Sequence, residues 1–406
     1  MKKDTKVVIS GMNIISSLGL NLTENWDNLV KGKSGVKRIT LFDPTGLETQ
    51  IAAQVPDAFE EFAAAKVKKR QSGQMTRVTR TCFVCAKDAV EQEEISFDTF
   101  DKSRVAVILG VVNTGNSSVE GKDVSRSSIL KGMNNAMSGW ISMEYGLTGP
   151  SYTVATACSS SAYAIGLGYD LIKSGRADIV ITGGADSIIN PEEIAGFNHL
   201  FALSTKNEHP ETASKPFSED RDGFVVGEGA GIMILESEAS AKKRGATIYG
   251  ELAGYALTTE SYNIMAPKKD GEGMAETMEK ALADSGVDVS EVDYISAHGT
   301  STMLNDLYET MAIKKVFGDK ASSIAVSSQK SMIGHTVGAA GVIEGIVSVL
   351  SIENSILTPT INYQKPDPEL DLDFVPNVSR KANIRVALSN SFAFGGHNAT
   401  LVFRKY

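Results

Sequence analysis

Cysteine, histidine and proline are scarce in this chain: 3, 5 and 11 residues respectively among 406. Three cysteines make no disulfide framework, so the chain reads as one with free thiols in a reducing, cytoplasmic setting. Cys82 and Cys85 have CxxC spacing, but no second such pair exists and the stretch 79–89 reads as an apolar helix. Both are assigned to core packing, and no metal site is expected. A P-loop is missing. The glycine-rich run from Gly223 to Gly231 is followed by a strand-like segment rather than a helix, so it is no dinucleotide fingerprint. Basic excess is missing too: 40 Lys and Arg against 49 Asp and Glu give a net charge of −9. That balance argues against nucleic acid, whose binders carry a basic footprint. The residues before Val7 are too few and too polar for a secretion signal. No apolar run is expected to span a membrane, since the most apolar late stretch, 341–350, carries Glu344 in its middle.

Glycine, by contrast, is abundant at 37 residues. Val- and Ile-rich segments at 6–10, 104–109, 151–156, 178–182, 231–236, 293–296, 324–327, 385–389 and 400–403 read as strands. Helical stretches such as 162–173 alternate with them, which indicates an α/β architecture with helices covering sheets. There is an internal echo. The strand 152–155 meets a tight turn at Thr156-Ala157-Cys158 and then a small-residue helix. The strand 324–327 meets Ser328-Gln329-Lys330-Ser331 and then a small-residue helix through Gly338-Ala339-Ala340-Gly341. Two similar halves are expected, 1–240 and 241–406.

Cys158 stands where a strand gives way to a helix, and the positive end of the helix dipole is expected to lower its pKa and favour thiolate. Taken alone, such a cysteine is more often a small buried hydrophobe. His298, in Ala297-His298-Gly299-Thr300, and His335, in Gly334-His335-Thr336, each have glycine beside them, which permits close approach of a substrate. Two such imidazoles with a helix-start cysteine favour catalysis, and the three must meet through the fold. His209 reads as solvated, and His397 as support for a loop.

These residues lie in motifs that resemble the β-ketoacyl-[acyl-carrier-protein] synthases, closest to the type II elongating enzymes. The motifs are Thr156-Ala157-Cys158-Ser159-Ser160, Lys215-Pro216-Phe217 through Arg221-Asp222-Gly223-Phe224 to Gly231, Ala297–Thr302 with Asn305-Asp306, Lys330-Ser331 through Gly334-His335 to Gly341, and Asn390–Asn398. The resemblance covers nearly the whole chain. It implies the thiolase fold, two βαβαβαββ halves in five layers. It implies Cys158 as acyl-accepting nucleophile, His298 and His335 as the pair assisting malonyl decarboxylation, and Lys330 and Glu344 as the groups organising that pair. It further implies an oxyanion hole from the N–H groups of Cys158 and Phe394, Phe394 as gate, Phe224 as a second pocket aromatic, and Thr300 and Thr302 on the phosphopantetheine arm. No cofactor is implied beyond the carrier's own pantetheine.

The implied partner is an acyl carrier protein, small and acidic, so a basic docking patch is expected despite the net charge. Lys66, Lys68, Lys69 and Arg70 match the docking segment, and Lys206 a second position; the plain alternative is a solvated surface helix. The family is usually dimeric. Homodimer and heterodimer with a homologous subunit both remain open. Three departures stand out: the turn Gly110–Ser118 with a short segment to Trp140, Ala393 where glycine is usual, and Glu260-Ser261-Tyr262-Asn263 beside the gate. They leave the catalytic set intact and point to a specialised synthase for a polyketide or polyene chain. A thiolase is disfavoured, since no cysteine follows Cys158. A chain-length-factor subunit lacks the nucleophile present here.

Overall fold

The computed structural model describes residues 5–114 and 128–406. β-Branched segments form strands, and the Ala- and Gly-rich stretches between them form helices that can approach closely. The first half runs β1 (Val7–Ile15), α1 (Arg77–Gln92), β2 (Val105–Gly110), α2 (Ala136–Tyr145), β3 (Ser151–Val154), α3 (Ser160–Lys173), β4 (Ile179–Asp186) and β5 (Gly229–Ser237). The second runs β6 (Gly250–Thr259), α4 (Glu272–Ser285), β7 (Tyr294–Ser296), α5 (Met303–Phe317), β8 (Ala325–Ser327), α6 (Ala340–Asn354), β9 (Val386–Phe392) and β10 (His397–Arg404). Shorter helices and bridges lie between these elements.

The strand order in the first half is β1-β5-β4-β2-β3, and in the second β6-β10-β9-β7-β8. In each, four strands run one way and one, β5 or β10, runs against its two neighbours, in corresponding places. The halves therefore share one βαβαβαββ topology. They join where Val7–Ile9 of β1 pairs antiparallel with β6. Helices α3 and α6 pack on each other and on both sets of strands, while α1 and α2 cover one outer face and α4, with α5 beside it, the other. That is the expected five-layer arrangement.

Several local readings change. The strand β6 was not among the expected ones, because Gly250-Glu251-Leu252-Ala253-Gly254 carries little β-propensity; its pairing with β10 makes it a strand. The small-residue helix of the second half begins only at Ala340, after separate turns at Lys330–Ile333 and Val337–Ala339. The stretch Val337–Asn354 is, contrary to the sequence reading, long and apolar enough to cross a membrane, but 89% of it is buried inside the protein. It is the central core helix, and Glu344 within it has a buried partner described below. The expected short segment between 110 and 140 falls partly on residues 115–127, outside the described ones.

The two sheet edges differ. At one end, the Val326 N–H of β8 donates to the Asp373 carbonyl at 2.8 Å, so that edge is covered. At the other end, β3 is exposed at Ser151 and Tyr152.

The α3–α6 contact has no slack. A Cβ at Gly341 would meet the Ala162 Cβ at 2.8 Å and its amide nitrogen at 2.9 Å. Gly341→Ala should therefore lose about 1–3 kcal/mol of stability through overpacking. Denaturant titration measures this, and an unchanged midpoint would contradict the packing argument.

Candidate active site

Loops at the C-terminal ends of the strands build one cavity of about 480 Å³. Val112 follows β2, Cys158 follows β3, His298 follows β7, His335 follows β8, and Phe394 follows β9; all five line it. Crevices at the carboxyl ends of strands are where α/β sheets usually bind ligands.

Cys158 is delivered by a strained turn. Ala157 has φ +50°, in the left-handed region, at a cost of about 1–3 kcal/mol. Hydroxyls hold the turn: the Thr156 N–H donates to Ser160 Oγ at 2.9 Å, and Ser160 Oγ donates to the Ala157 carbonyl at 2.6 Å. Gly110 of β2 leaves the room, since a Cβ there would stand 2.3 Å from the Ser160 backbone. The N–H groups of Phe394 and of Cys158 itself both favour the thiolate. Burial nevertheless pushes the Cys158 thiol up to about 12, against the pull of Lys330 and these two donors, and Asp186 adds to the rise. Where the helix end was expected to lower this pKa, desolvation of the thiolate raises it.

His298 and His335 are 2% and 3% exposed, and their rings meet edge to face at 5.3 Å. Burial and the charge of Lys330 hold both well below the usual imidazole value, so they are neutral. Their tautomers follow from their neighbours. Lys330 Nζ lies 3.4 Å from His298 Nδ1, and the Val337 N–H donates to His335 Nδ1 at 3.3 Å. Each Nδ1 is therefore an acceptor, and each Nε2 carries the hydrogen. Lys330, 1% exposed, forms an ion pair with Glu344 of α6. Burial pushes the Glu344 carboxyl up to about 7 against the pull of that lysine.

Two carboxylates that the sequence reading gave no role hold the His298 loop. On α5, Glu309 accepts from the N–H groups of His298 (2.9 Å) and Gly299 (2.8 Å). Asp306 accepts from Thr300 N–H (3.0 Å) and Phe217 N–H (2.8 Å). Their i, i+3 spacing just after His298 was the available signal. Asp186, at the end of β4, is a third buried carboxylate that the sequence reading did not single out.

Phe224 packs edge to face on His335 at 5.4 Å and on Phe197 at 5.5 Å. Thr300 and Thr302 line the cavity with their hydroxyls 2.8 Å apart. Phe394 stands partly exposed among an apolar rim of Leu200, Phe201, Met265 and Met303. Ala393 has φ −116° and ψ 156°, ordinary extended backbone that does not need glycine. The Phe394 loop is braced by the neighbouring one: Gly395 N–H donates to the Ile264 carbonyl at 2.7 Å, and Asn398 Nδ2 donates to Glu260 at 2.9 Å.

On the surface, Lys68, Lys69, Arg70 and Lys206 are exposed as expected. Lys66 departs from expectation. It is half-buried and its charge is neutralised by Asp88 and, at 3.3 Å, Glu91, so it offers little to a docking partner.

The neutral histidines give a direct check. Histidine-selective ¹⁵N labelling should show His298 and His335 uncharged and protonated on Nε2 from about pH 6 to 8, where an ordinary imidazole titrates. An imidazolium signal from either ring in that window would contradict the geometry.

Residues 4–241 match the family model for the beta-ketoacyl synthase N-terminal domain, and residues 249–364 that for its C-terminal domain. The 3-oxoacyl-[acyl-carrier-protein] synthase 2 of Staphylococcus aureus is 39% identical over the full length of both chains. Two solved structures superpose with a TM-score of 0.90 over 99% of both chains. One, 34% identical, is the ishigamide ketosynthase/chain length factor. The other, 32% identical, is a type II PKS acyl-carrier protein in complex with its ketosynthase bound to the hexaketide. Full-length identity near 40%, the matching fold and the convergence of Cys158 with two neutral imidazoles agree, and the chain belongs to the beta-ketoacyl synthase family of condensing enzymes.

Proposed function

We propose that the chain holds an acyl group on Cys158 and condenses it with a malonyl unit delivered on the phosphopantetheine of an acyl carrier protein. The carrying observation is that Cys158, His298, His335 and Phe394 line one cavity, with Lys330 behind the histidines. In this reading the half 1–240 supplies the nucleophile and the half 241–406 the histidines.

The cycle starts with the Cys158 sulfur attacking the acyl-carrier thioester. The exchange is thiol for thiol, so the proton lost by Cys158 ends on the departing carrier thiol. A raised thiol pKa makes proton loss concurrent with attack rather than prior to it. The N–H groups of Cys158 and Phe394, which favour the thiolate, are the proposed donors to the tetrahedral oxyanion. Malonyl carrier then enters past Phe394, its arm along Thr300 and Thr302. Its carboxylate leaves as carbon dioxide, and the freed electron pair moves onto the thioester carbonyl oxygen. Nε2–H donors of His298 and His335 stabilise that enolate without a formal charge of their own. Lys330, held by Glu344, fixes the His298 tautomer. The enolate carbon attacks the acyl group, the C–S bond to Cys158 breaks, and a β-ketoacyl carrier leaves, lengthened by two carbons.

Lys68, Lys69, Arg70 and Lys206 are the proposed docking charges for the acidic carrier; Lys66 is engaged elsewhere. The Glu260-Ser261-Tyr262-Asn263 loop beside Phe394 is the departure that favours a specialised polyketide or polyene chain as the substrate. A second reading draws on the ketosynthase/chain length factor structure: this subunit works only beside a homologous partner. A homodimer is the alternative assembly.

The first test is intact-protein mass spectrometry with a panel of acyl carriers and malonyl carrier. Acylation of Cys158, followed by a product two carbons longer, is the expected result, and the preferred chain separates fatty-acid from polyketide work. A folded chain that is never acylated alone, but is with a co-purified partner, would establish the second reading. Cys158→Ala should abolish transfer, while Cys158→Gln should retain malonyl decarboxylation. His298→Ala should slow that decarboxylation about 10²- to 10³-fold, as for loss of one oxyanion donor. Unchanged decarboxylation would remove His298 from the mechanism. Charge reversal at Lys68, Lys69 and Arg70 together should raise KM for the carrier and leave kcat unchanged.

A further inference from the structure

Asp186 is a buried carboxylate that the reaction above does not use. It ends β4 and is 1% exposed. No Lys or Arg forms an ion pair with it among the described residues; four backbone N–H groups hold it instead. Oδ2 accepts from Val112 (3.0 Å) and Gly338 (3.0 Å). Oδ1 accepts from Asn113 (3.2 Å) and from Ser187 (3.0 Å). Such a set satisfies both oxygens and stiffens whatever donates.

Besides the adjacent Ser187, the donors come from two loops that do different work. Val112 lines the cavity wall after β2. Gly338 follows Val337, which also lines the cavity and whose N–H fixes the His335 tautomer. Val337 has φ +47°, a conformation a β-branched residue adopts only when its surroundings impose it. The next peptide is pinned by Asp186, and the fit is tight: a Cβ at Gly338 would stand 2.5 Å from Asp186 Oδ2. The same oxygen thus anchors the cavity wall and the turn behind His335.

We propose that Asp186 is a positioning residue that ties the cavity wall at Val112 to the Val337–Gly338 turn, so that one carboxylate sets both the wall and the tautomer of His335. This rests on the catalytic reading above for its kinetic consequence, but not for its structural one.

Asp186→Asn tests it. An amide oxygen can serve one donor pair, while the amide nitrogen turns N–H towards the other pair. Decarboxylation of malonyl carrier should fall about 10- to 100-fold in kcat, the cost of a misplaced reacting group, with KM little changed. Acylation of Cys158, read by intact mass, should change by a different factor, since it follows the wall and the lost Asp186 charge rather than His335. A merely structural role would lower both half-reactions by one common factor, and that result overturns the proposal. The ¹⁵N spectrum supplies a readout free of turnover: His335 should lose its single Nε2-protonated state, while His298 keeps its own. An unchanged His335 signal also overturns the proposal. If the parent enzyme neither acylates nor decarboxylates, the catalytic reading fails while the His335 signal still decides for or against Asp186. Should Asp186→Asn not fold, Gly338→Ala presses on the same joint with the carboxylate kept, and the same split between half-reactions and the same His335 change are expected.

Discussion

The contact between α3 and α6, closed to the distance of Gly341 against Ala162, is the constraint on which the site depends. Cys158 lies just before α3, and Lys330 and His335 lie in the stretch of short turns that leads into α6. Only when the two helices lie together in the middle layer do the loops before them open on the same cavity. A larger side chain at that crossing would part the helices and with them Cys158 and His335. These cavity-lining groups are thus held by main-chain proximity in a close-packed interior.

Around that contact the chain buries charge rather than avoiding it. Lys330, Glu344, Asp306, Glu309 and Asp186 are all at most 1% exposed. Breaking a buried pair costs about 3–5 kcal/mol, so a buried charge is kept beside groups that answer it. Here the partners are largely backbone N–H groups of the loops that carry the reacting side chains. The carboxylates act as fasteners for loops that contain left-handed residues, Ser301 and Val337 among them. Neutral imidazoles are the second result: a charged lysine behind them, in dry surroundings, keeps both from taking a proton.

Much of this was legible in the sequence, for local reasons. Val- and Ile-rich runs marked most strands, and glycine beside each of two rare histidines marked the loops that a substrate approaches. The strand-to-helix position of Cys158 was readable as well. What was not legible depends on contacts far apart in the chain. The thiol pKa follows burial, which a dipole argument from neighbouring residues does not contain. Lys66 looked like part of a basic cluster until the fold set Asp88 beside it. Asp186 receives two of its four donors from residues more than 70 positions away and a third from 152 positions away. Strand β6, with glycine and alanine where valine would be expected, takes its extended form from β10 alongside it.

The unequal sheet edges carry a consequence for growth. A sheet lengthens wherever a strand leaves its hydrogen-bonding groups unmatched. The β8 edge is already occupied by the Asp373 segment, while β3 is open at Ser151 and Tyr152. Lengthening through the ladder therefore has one direction only. Two copies meeting edge to edge at β3 would use up both open sides and present covered ones outward, so the ladder closes at two rather than running on into a fibre.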